Sequence, residues 1–272
     1  MLTSLVLEVE APAGGTLPVT LGRAVRAQFL EWVAARQPSM AQALHDGQGP
    51  KPYTVSNLTL GRRDEGGQLS FRKGERGWLR ITGLTQEVSE LLADLTGDPP
   101  AQLTLQRRSL TVGGASLTGH PWAGYTNYQE LAAPFLLQAH GQLPETIGLE
   151  FVTPTTFSSS GQNVPLPIPR LVFESLFNRW QAFAPIELHP ELGRVIAEQV
   201  VVNRFDIHSR GVPSKGAVQI GFEGQVTFEM LGRPDWYWLN LLHLLAAFAF
   251  YSGVGYQTAT GLGQARPVDG RQ

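Results

Sequence analysis

The sequence predicts an α+β protein of two tandem ferredoxin-like domains, each of βαββαβ (RRM-like) order with an antiparallel sheet, and a glycine-rich loop near the C-terminus. Three observations predict this. Residues 2–105 follow the order strand, helix, strand, strand, helix, strand, which is the split β-α-β unit with its helices on one side of the sheet. Around Leu117 to Trp122 the pattern restarts, so the second half reads as a decorated copy of the first. The chain of 272 residues is long enough for two domains of ordinary size. The boundary is placed near Gly119, giving domains 1–118 and 119–272.

Leu5, Leu7 and Val9 alternate within Leu2 to Glu10 and mark a half-buried strand. Pro18 and Thr20 precede a helix in which Leu21, Val25, Phe29, Trp32 and Val33 recur at helical spacing through Arg36. A second, short helix opens at Pro38-Ser39, carries Met40, Ala43 and Leu44, and stops at Asp46-Gly47. His45 therefore sits at a helix C-terminus. Lys51 to Leu60 reads as a strand and Gly77 to Leu84 as its partner across a basic, glycine-rich connection. Thr85 starts a helix with Val88, Leu91, Leu92 and Leu95 inward; Pro99-Pro100 ends it, and Leu103 and Leu105 begin another strand. In the second half, Tyr128 to Gln138 is helical, Ile147 to Val152 is a strand, and Thr153 to Pro169 is a loop rich in Ser, Gly and Pro. A helix turning Leu171, Leu176, Phe177 and Trp180 inward follows. Val200 to Ile207 then pairs with Val218 to Met230 through Arg210-Gly-Val-Pro-Ser-Lys215-Gly216.

Composition narrows the classes. There is no cysteine, which excludes disulfides, thiolate zinc sites and cysteine nucleophiles and fits a reducing cytoplasm. Met1 to Glu10 lacks the basic region and apolar block of a signal peptide. The longest apolar stretch, Trp236 to Tyr251, is interrupted by Asn240 and His243 and is too short to span a bilayer. It predicts a buried helix and no membrane role. A formal net charge of -2 argues mildly against a nucleic-acid binder, yet the charge is uneven. Arg62, Arg63, Arg72, Lys73, Arg76 and Arg80 crowd one stretch, and Arg204, Arg210 and Lys215 lie on the hairpin. These are either local basic patches or solvated strand edges.

The stretch Tyr251-Ser-Gly253-Val-Gly255-Tyr256-Gln-Thr-Ala-Thr-Gly261-Leu-Gly263-Gln-Ala-Arg266 holds two Gly-x-Gly units separated by five residues. Glycine admits positive φ and close approach, so such a loop can turn N–H groups toward an anion or form a tight helix-to-strand turn. It is not a dinucleotide fingerprint, because Thr258 holds the third glycine's place and a helix precedes the loop. Tyr256 is placed either to stack on a base or to pack on its own domain. The histidines show no metal spacing; Asp206 and His208 alternate on one strand face, too little for a zinc site.

Three stretches together resemble one family, the CRISPR-associated endoribonucleases of the RAMP superfamily, which cut precursor CRISPR RNA within its repeats. The first is Leu44-His45-Asp-Gly-Gln-Gly-Pro-Lys51-Pro-Tyr-Thr54; the second is Phe151-Val-Thr-Pro-Thr-Thr-Phe157, followed by Leu176-Phe-Asn-Arg-Trp180; the third is the doubled Gly-x-Gly loop. The resemblance implies a pair of ferredoxin-like domains and cleavage without metal or cofactor, leaving a 2′,3′-cyclic phosphate and a 5′-hydroxyl. It implies repeat RNA as partner, with a CRISPR effector complex and a homodimer as further associations. Matched by position, the family's histidine falls on His45 and its lysine on Lys51, while its tyrosine falls on Leu30, which cannot exchange a proton. Gly253, Gly255, Tyr256, Gly261, Gly263, Arg204, Arg210 and Lys215 are the expected RNA contacts.

The chemistry suits these residue types. Cleavage needs the 2′-oxygen to lose a proton, the phosphorane charge to be stabilised, and the 5′-oxygen to regain a proton; histidine is the natural proton carrier. Lys51 would place positive charge where the phosphorane's charge develops. The ordinary alternatives are a histidine capping a helix and a strand-edge lysine. Two other functions compete: a non-catalytic RNA-binding RAMP subunit of a CRISPR ribonucleoprotein, for which the absent tyrosine speaks, and, more distantly, a nucleotide-binding small-molecule enzyme using the glycine loop.

Overall fold

Leu5, Leu7 and Val9 are buried on one side of the first strand, and that strand is the centre of the first sheet. The computed structural model describes residues 1–64, 66–137, 143–214, 217–232 and 235–269. The chain forms two units: Met1–Thr126 with Ala259–Gly261, and Asn127–Thr258 with Leu262–Gln272.

In chain order the first unit runs β1 (Leu2–Glu10), β2 (Gly15–Pro18), α1 (Gly22–Arg36), α2 (Pro38–Asp46), β3 (Tyr53–Val55), β4 (Thr59–Leu60), β5 (Arg62–Arg63), β6 (Gln68–Phe71) and β7 (Arg76–Gly83). Then come α3 (Gln86–Gly97), β8 (Gln102–Leu105), β9 (Arg108–Ser116) and β10 (Gly124–Thr126). The main sheet has the order β3-β7-β1-β9-β8, every pairing antiparallel. This is the ferredoxin-like arrangement, with α1 and α3 packed over one face through Val25, Phe29, Val33, Val88, Leu91, Leu92 and Leu95. The basic connection carries a small separate sheet, β2-β6-β5, rather than a bare loop.

The expected strand from Lys51 to Leu60 is broken at Ser56-Asn57-Leu58, and the break has a cause. Asn57 Oδ1 accepts the N–H groups of Leu21 and Gly22, each at 2.8 Å. It thereby caps α1, which has no side-chain cap of its own. Asn57 Nδ2 donates to Gly261 O at 3.0 Å. A side chain on Gly22 would put its Cβ 2.0 Å from Thr260 O, so the close approach needs glycine there. The units divide between Thr126 and Asn127 rather than after Thr118, because β10 pairs with Leu2–Ser4 of β1 and Ser4 Oγ donates to Trp122 O.

The second unit comprises α4 (Tyr128–Leu136), β11 (Thr146–Thr155), β12 (Phe157–Ser159), β13 (Gln162–Val164), α5 (Pro169–Phe183) and α6 (Leu192–Gln199). It ends with β14 (Val200–Ser214), β15 (Ala217–Met230), α7 (Trp236–Ser252) and β16 (Ala265–Val268). The sheet order β14-β15-β11-β16 repeats the ferredoxin-like order of the first. Thr153 to Pro169 is not plain loop: it extends β11 and forms the β12–β13 hairpin. On α5 the buried face is Val172, Phe173, Leu176 and Trp180, one residue out of phase with the expected Leu171 and Phe177, which are half-buried. Trp180 packs edge-on to Tyr128 and Phe248 at 5.2 Å from each. In α7 the two polar interruptions are both bonded: Asn240 Nδ2 donates to Phe135 O and His243 Nε2 to Pro144 O, each at 2.8 Å. Burial lowers the His243 pKa, with the Pro144 bond acting against it. Among the described residues no helix is long and apolar enough to cross a membrane.

Candidate active site

His45 occupies the last turn of α2, of which only Leu44 is buried. Its imidazole is 72% exposed, and Nδ1 lies 2.8 Å from Asp46 Oδ1. Hydrogen bonds from His45 and then from Gln42 hold the Asp46 carboxyl below its ordinary pKa. An ionised carboxylate only accepts, so Nδ1 carries the proton in this pair. The neutral ring then has its lone pair on Nε2, which bonds to no described residue. That is the orientation a general base requires.

The loop after α2 folds back as its glycines and Pro50 permit, and Lys51 fastens it. Its ammonium donates to Leu44 O at 3.0 Å, His45 O at 3.1 Å and Gly47 O at 2.5 Å. These are carbonyls that the helix end leaves unpaired, and a cation there also meets the negative end of the helix dipole. Burial, then the nearby Arg26, lowers the Lys51 pKa, against a smaller opposing effect of Asp46. Lys51 is thus more than a plain strand-edge lysine. Its ammonium contacts the main chain of His45, not the imidazole.

The glycine loop departs from the anion-cradle expectation. Gly253 N donates to Ala249 O at 2.9 Å, Gly255 N to Ser175 Oγ at 2.8 Å and Gly263 N to Pro154 O at 3.1 Å. Val254 and Tyr256 likewise donate inward, to Gly263 O and Thr156 O. The glycines serve close approach instead: with φ +82 and +69, Gly255 and Gly263 would set a Cβ 2.4 Å from Thr156 O and 2.0 Å from Val254 O. Positive charge reaches the loop from Arg179, buried on α5, whose Nη2 donates to Gly255 O at 3.3 Å. Nη1 has no hydrogen-bond partner among the described residues, and burial brings the Arg179 pKa down to about 10. Tyr256 is 48% exposed. Gly261 belongs to the first unit, where its carbonyl accepts from Asn57.

On the hairpin Arg204 is exposed and forms no ion pair among the described residues. Arg210 Nε lies 3.3 Å from Glu223 Oε2, which His208 also approaches at 3.2 Å. Lys215 lies outside the described residues. No group of three or more metal-ligating side chains occurs among the described residues.

A model of the CRISPR Cas6 N-terminal domain matches residues 1–133, and a model of the CRISPR-associated endoribonuclease Cas6 matches residues 149–265. A solved Cas6 product complex is 30% identical, with 98% of this chain and 99% of that chain covered and a TM-score of 0.78. The chain belongs to the Cas6 family. Cas6 of Thermus thermophilus is 28% identical over 98% of both chains, with a TM-score of 0.72. The Cas6 endoribonuclease of Mycobacterium tuberculosis (strain CDC 1551 / Oshkosh) is 33% identical over 127 residues, 45% of this chain and 40% of that protein. The match thus spans less than half the length of that curated relative.

In this member of the Cas6 family two residues beside the site went unnoticed in the sequence. Arg26 on α1 donates from Nε to Tyr53 Oη at 2.9 Å, and it is near enough to depress Lys51. Tyr53 is fully buried against Phe29, and burial raises its pKa, so it holds Arg26 in place rather than exchanging protons. The available signal was spacing: Arg26 stands four residues before Leu30 on the same helix face. Leu30 packs partly buried against the core. Leu30→Tyr is therefore expected to lower the melting temperature, at about 1–3 kcal/mol of overpacking, with no gain in cleavage rate. A faster, equally stable variant would place Leu30 beside the reacting groups.

Proposed function

We propose that the protein is an endoribonuclease that cleaves precursor CRISPR RNA within its repeats without a metal ion. Nε2 of His45 removes the 2′-hydroxyl proton, the 2′-oxygen attacks the adjacent phosphorus, and the P–O5′ bond breaks. A 2′,3′-cyclic phosphate and a 5′-hydroxyl result, the 5′-oxygen taking its proton from solvent or from the imidazolium just formed. The observation that carries this is the His45–Asp46 pair, which fixes the ring's tautomer on an exposed helix end. Lys51 and Arg26 supply positive charge on the same unit. Exposed Arg204 and Tyr256 and half-buried Arg210 are the groups proposed to meet the RNA away from the cut, and an effector complex is its proposed destination. The test is incubation of purified protein with 5′-labelled repeat RNA in excess chelator. Expected is a product ending in a cyclic phosphate; cleavage only after a divalent ion is restored would overturn the metal-independent route.

A second function, RNA binding without cleavage, is favoured by one observation: Leu30 stands where the family's tyrosine is expected. Binding of repeat RNA with no cleavage under any condition would establish it. Lys51→Ala separates Lys51's two roles. It is expected to slow cleavage about 10–100-fold and to loosen the end of α2 by about 1.5–3 kcal/mol for the lost charged bonds. Lys51→Arg should restore only part of the rate, because a planar guanidinium cannot meet three converging carbonyls as an ammonium does. Full activity in Lys51→Ala, measured in single turnover, would confine Lys51 to capping.

A further inference from the structure

The sheet face turned away from α1 and α3 carries a groove of about 440 Å³ that the proposed chemistry does not use. It lies within the first unit and is lined by Glu8, Glu10, Arg76, Trp78, Gly113 and His120. The register explains the grouping: Glu8 of β1 is opposite Trp78 of β7, and Glu10 is opposite Arg76, and opposed residues send their side chains to one face. The His120 ring stands 4.8 Å from that of Trp78, held by Nδ1 accepting from Trp122 N at 3.1 Å. Burial lowers the His120 pKa, opposed by Glu8, which favours a neutral ring. Glu10 pairs with Arg76 at 3.5 Å. Glu8 has neither an ion pair nor a side-chain hydrogen bond among the described residues.

The glycines of the groove are of two kinds. Gly77 is required by the fold, because a Cβ there would lie 2.2 Å from Thr59 O. Gly113 is not. It sits at a bulge of β9 opposite Glu8 and Val9, its φ is outside the left-handed region, and an added Cβ would meet nothing nearer than Glu8 O at 4.0 Å. At Gly114 nothing lies within 4 Å. Glycine weakens a strand and often marks a site where a ligand comes close to the backbone, as bulges often do. Here two glycines leave bare sheet beside an aromatic wall and an unpaired carboxylate. A flat ring fits that space, and an ionised carboxylate, which can only accept, is matched by the N–H donors on the edge of a base.

We propose that this groove binds one unpaired nucleobase of RNA that carries an exocyclic amino group. The ring lies over Gly113 against Trp78 and His120, the amino hydrogens are donated to Glu8, and Arg76 at the rim faces the phosphate. The site rests on the RNA-cleaving function proposed above but shares no residue with its catalytic group.

The test measures affinity for the RNA pentamer U5 and for pentamers with G, A or C at the centre, using the parent, Gly113→Val, Glu8→Gln and His45→Ala proteins. The parent is expected to bind an amino-bearing pentamer about tenfold more tightly than U5. Gly113→Val should melt no lower than the parent and lose that preference while keeping its U5 affinity. Glu8→Gln should reduce the preference several-fold, and His45→Ala should retain it. A parent without preference, a folded Gly113→Val that keeps it, or a Gly113→Val that fails to fold would overturn the proposal. Preference without repeat cleavage would leave the groove standing and remove the catalytic function; cleavage without preference would do the reverse.

Discussion

His45→Ala lowers single-turnover cleavage of repeat RNA by about 10²–10⁴-fold, the range for losing one positioned proton-transfer group. Affinity for the RNA and the melting temperature change little. The imidazole is largely exposed and, among the described residues, its side chain bonds only to Asp46, so its removal opens no cavity and strands no buried donor. The rate falls because Nε2 acts as the proton leaves the 2′-oxygen, which occurs in the transition state and not in the bound complex. Binding and cleavage measured on one preparation check both halves. Equal rates in mutant and parent would take His45 out of the reaction.

Gly255→Val destabilises the second unit by about 3–4 kcal/mol, a size reached only by changes with a specific structural cause. Two causes act together: a β-branched residue is forced to φ +82, and its Cβ would fall 2.4 Å from the main-chain oxygen of Thr156. Main chain held in β11's neighbourhood by Tyr256 N at 2.8 Å cannot step aside cheaply. The melting temperature is expected to drop by about 10 °C, while molecules kept folded by cooling bind RNA as the parent does. The same substitution at Gly113 has no such effect on melting. A weakened affinity in fully folded Gly255→Val would instead show the loop in direct contact with phosphate.

Elements whose pattern is local were readable from the sequence. The alternation of Leu5, Leu7 and Val9, the helical spacing in α1 and α3, and the apolar run of α7 each report a face that neighbouring residues share. The position of His45 at a helix end followed from Asp46-Gly47 alone. What was not readable depends on partners far along the chain. Asn57 looks like a turn residue within a strand, and only the folded chain shows that its amide caps α1. Lys51 reads as a free cation until the carbonyls of Leu44, His45 and Gly47 are brought to it. The glycine loop was legible as a close approach, but not which chain approaches, and the inward turn of its N–H groups could not be counted in advance. Arg26 was passed over because its partner, Tyr53, lies on another element.

The first unit is completed by Ala259–Gly261, residues made long after Thr126. When Thr126 leaves the ribosome, the strands and helices of that unit are all present, yet Asn57 lacks the carbonyl of Gly261 and Gly22 faces no neighbour. At roughly 5–20 residues per second the missing piece follows on the order of ten seconds later. The closing contact of Asn57 with Gly261 therefore waits for more than 130 residues to be made after Thr126.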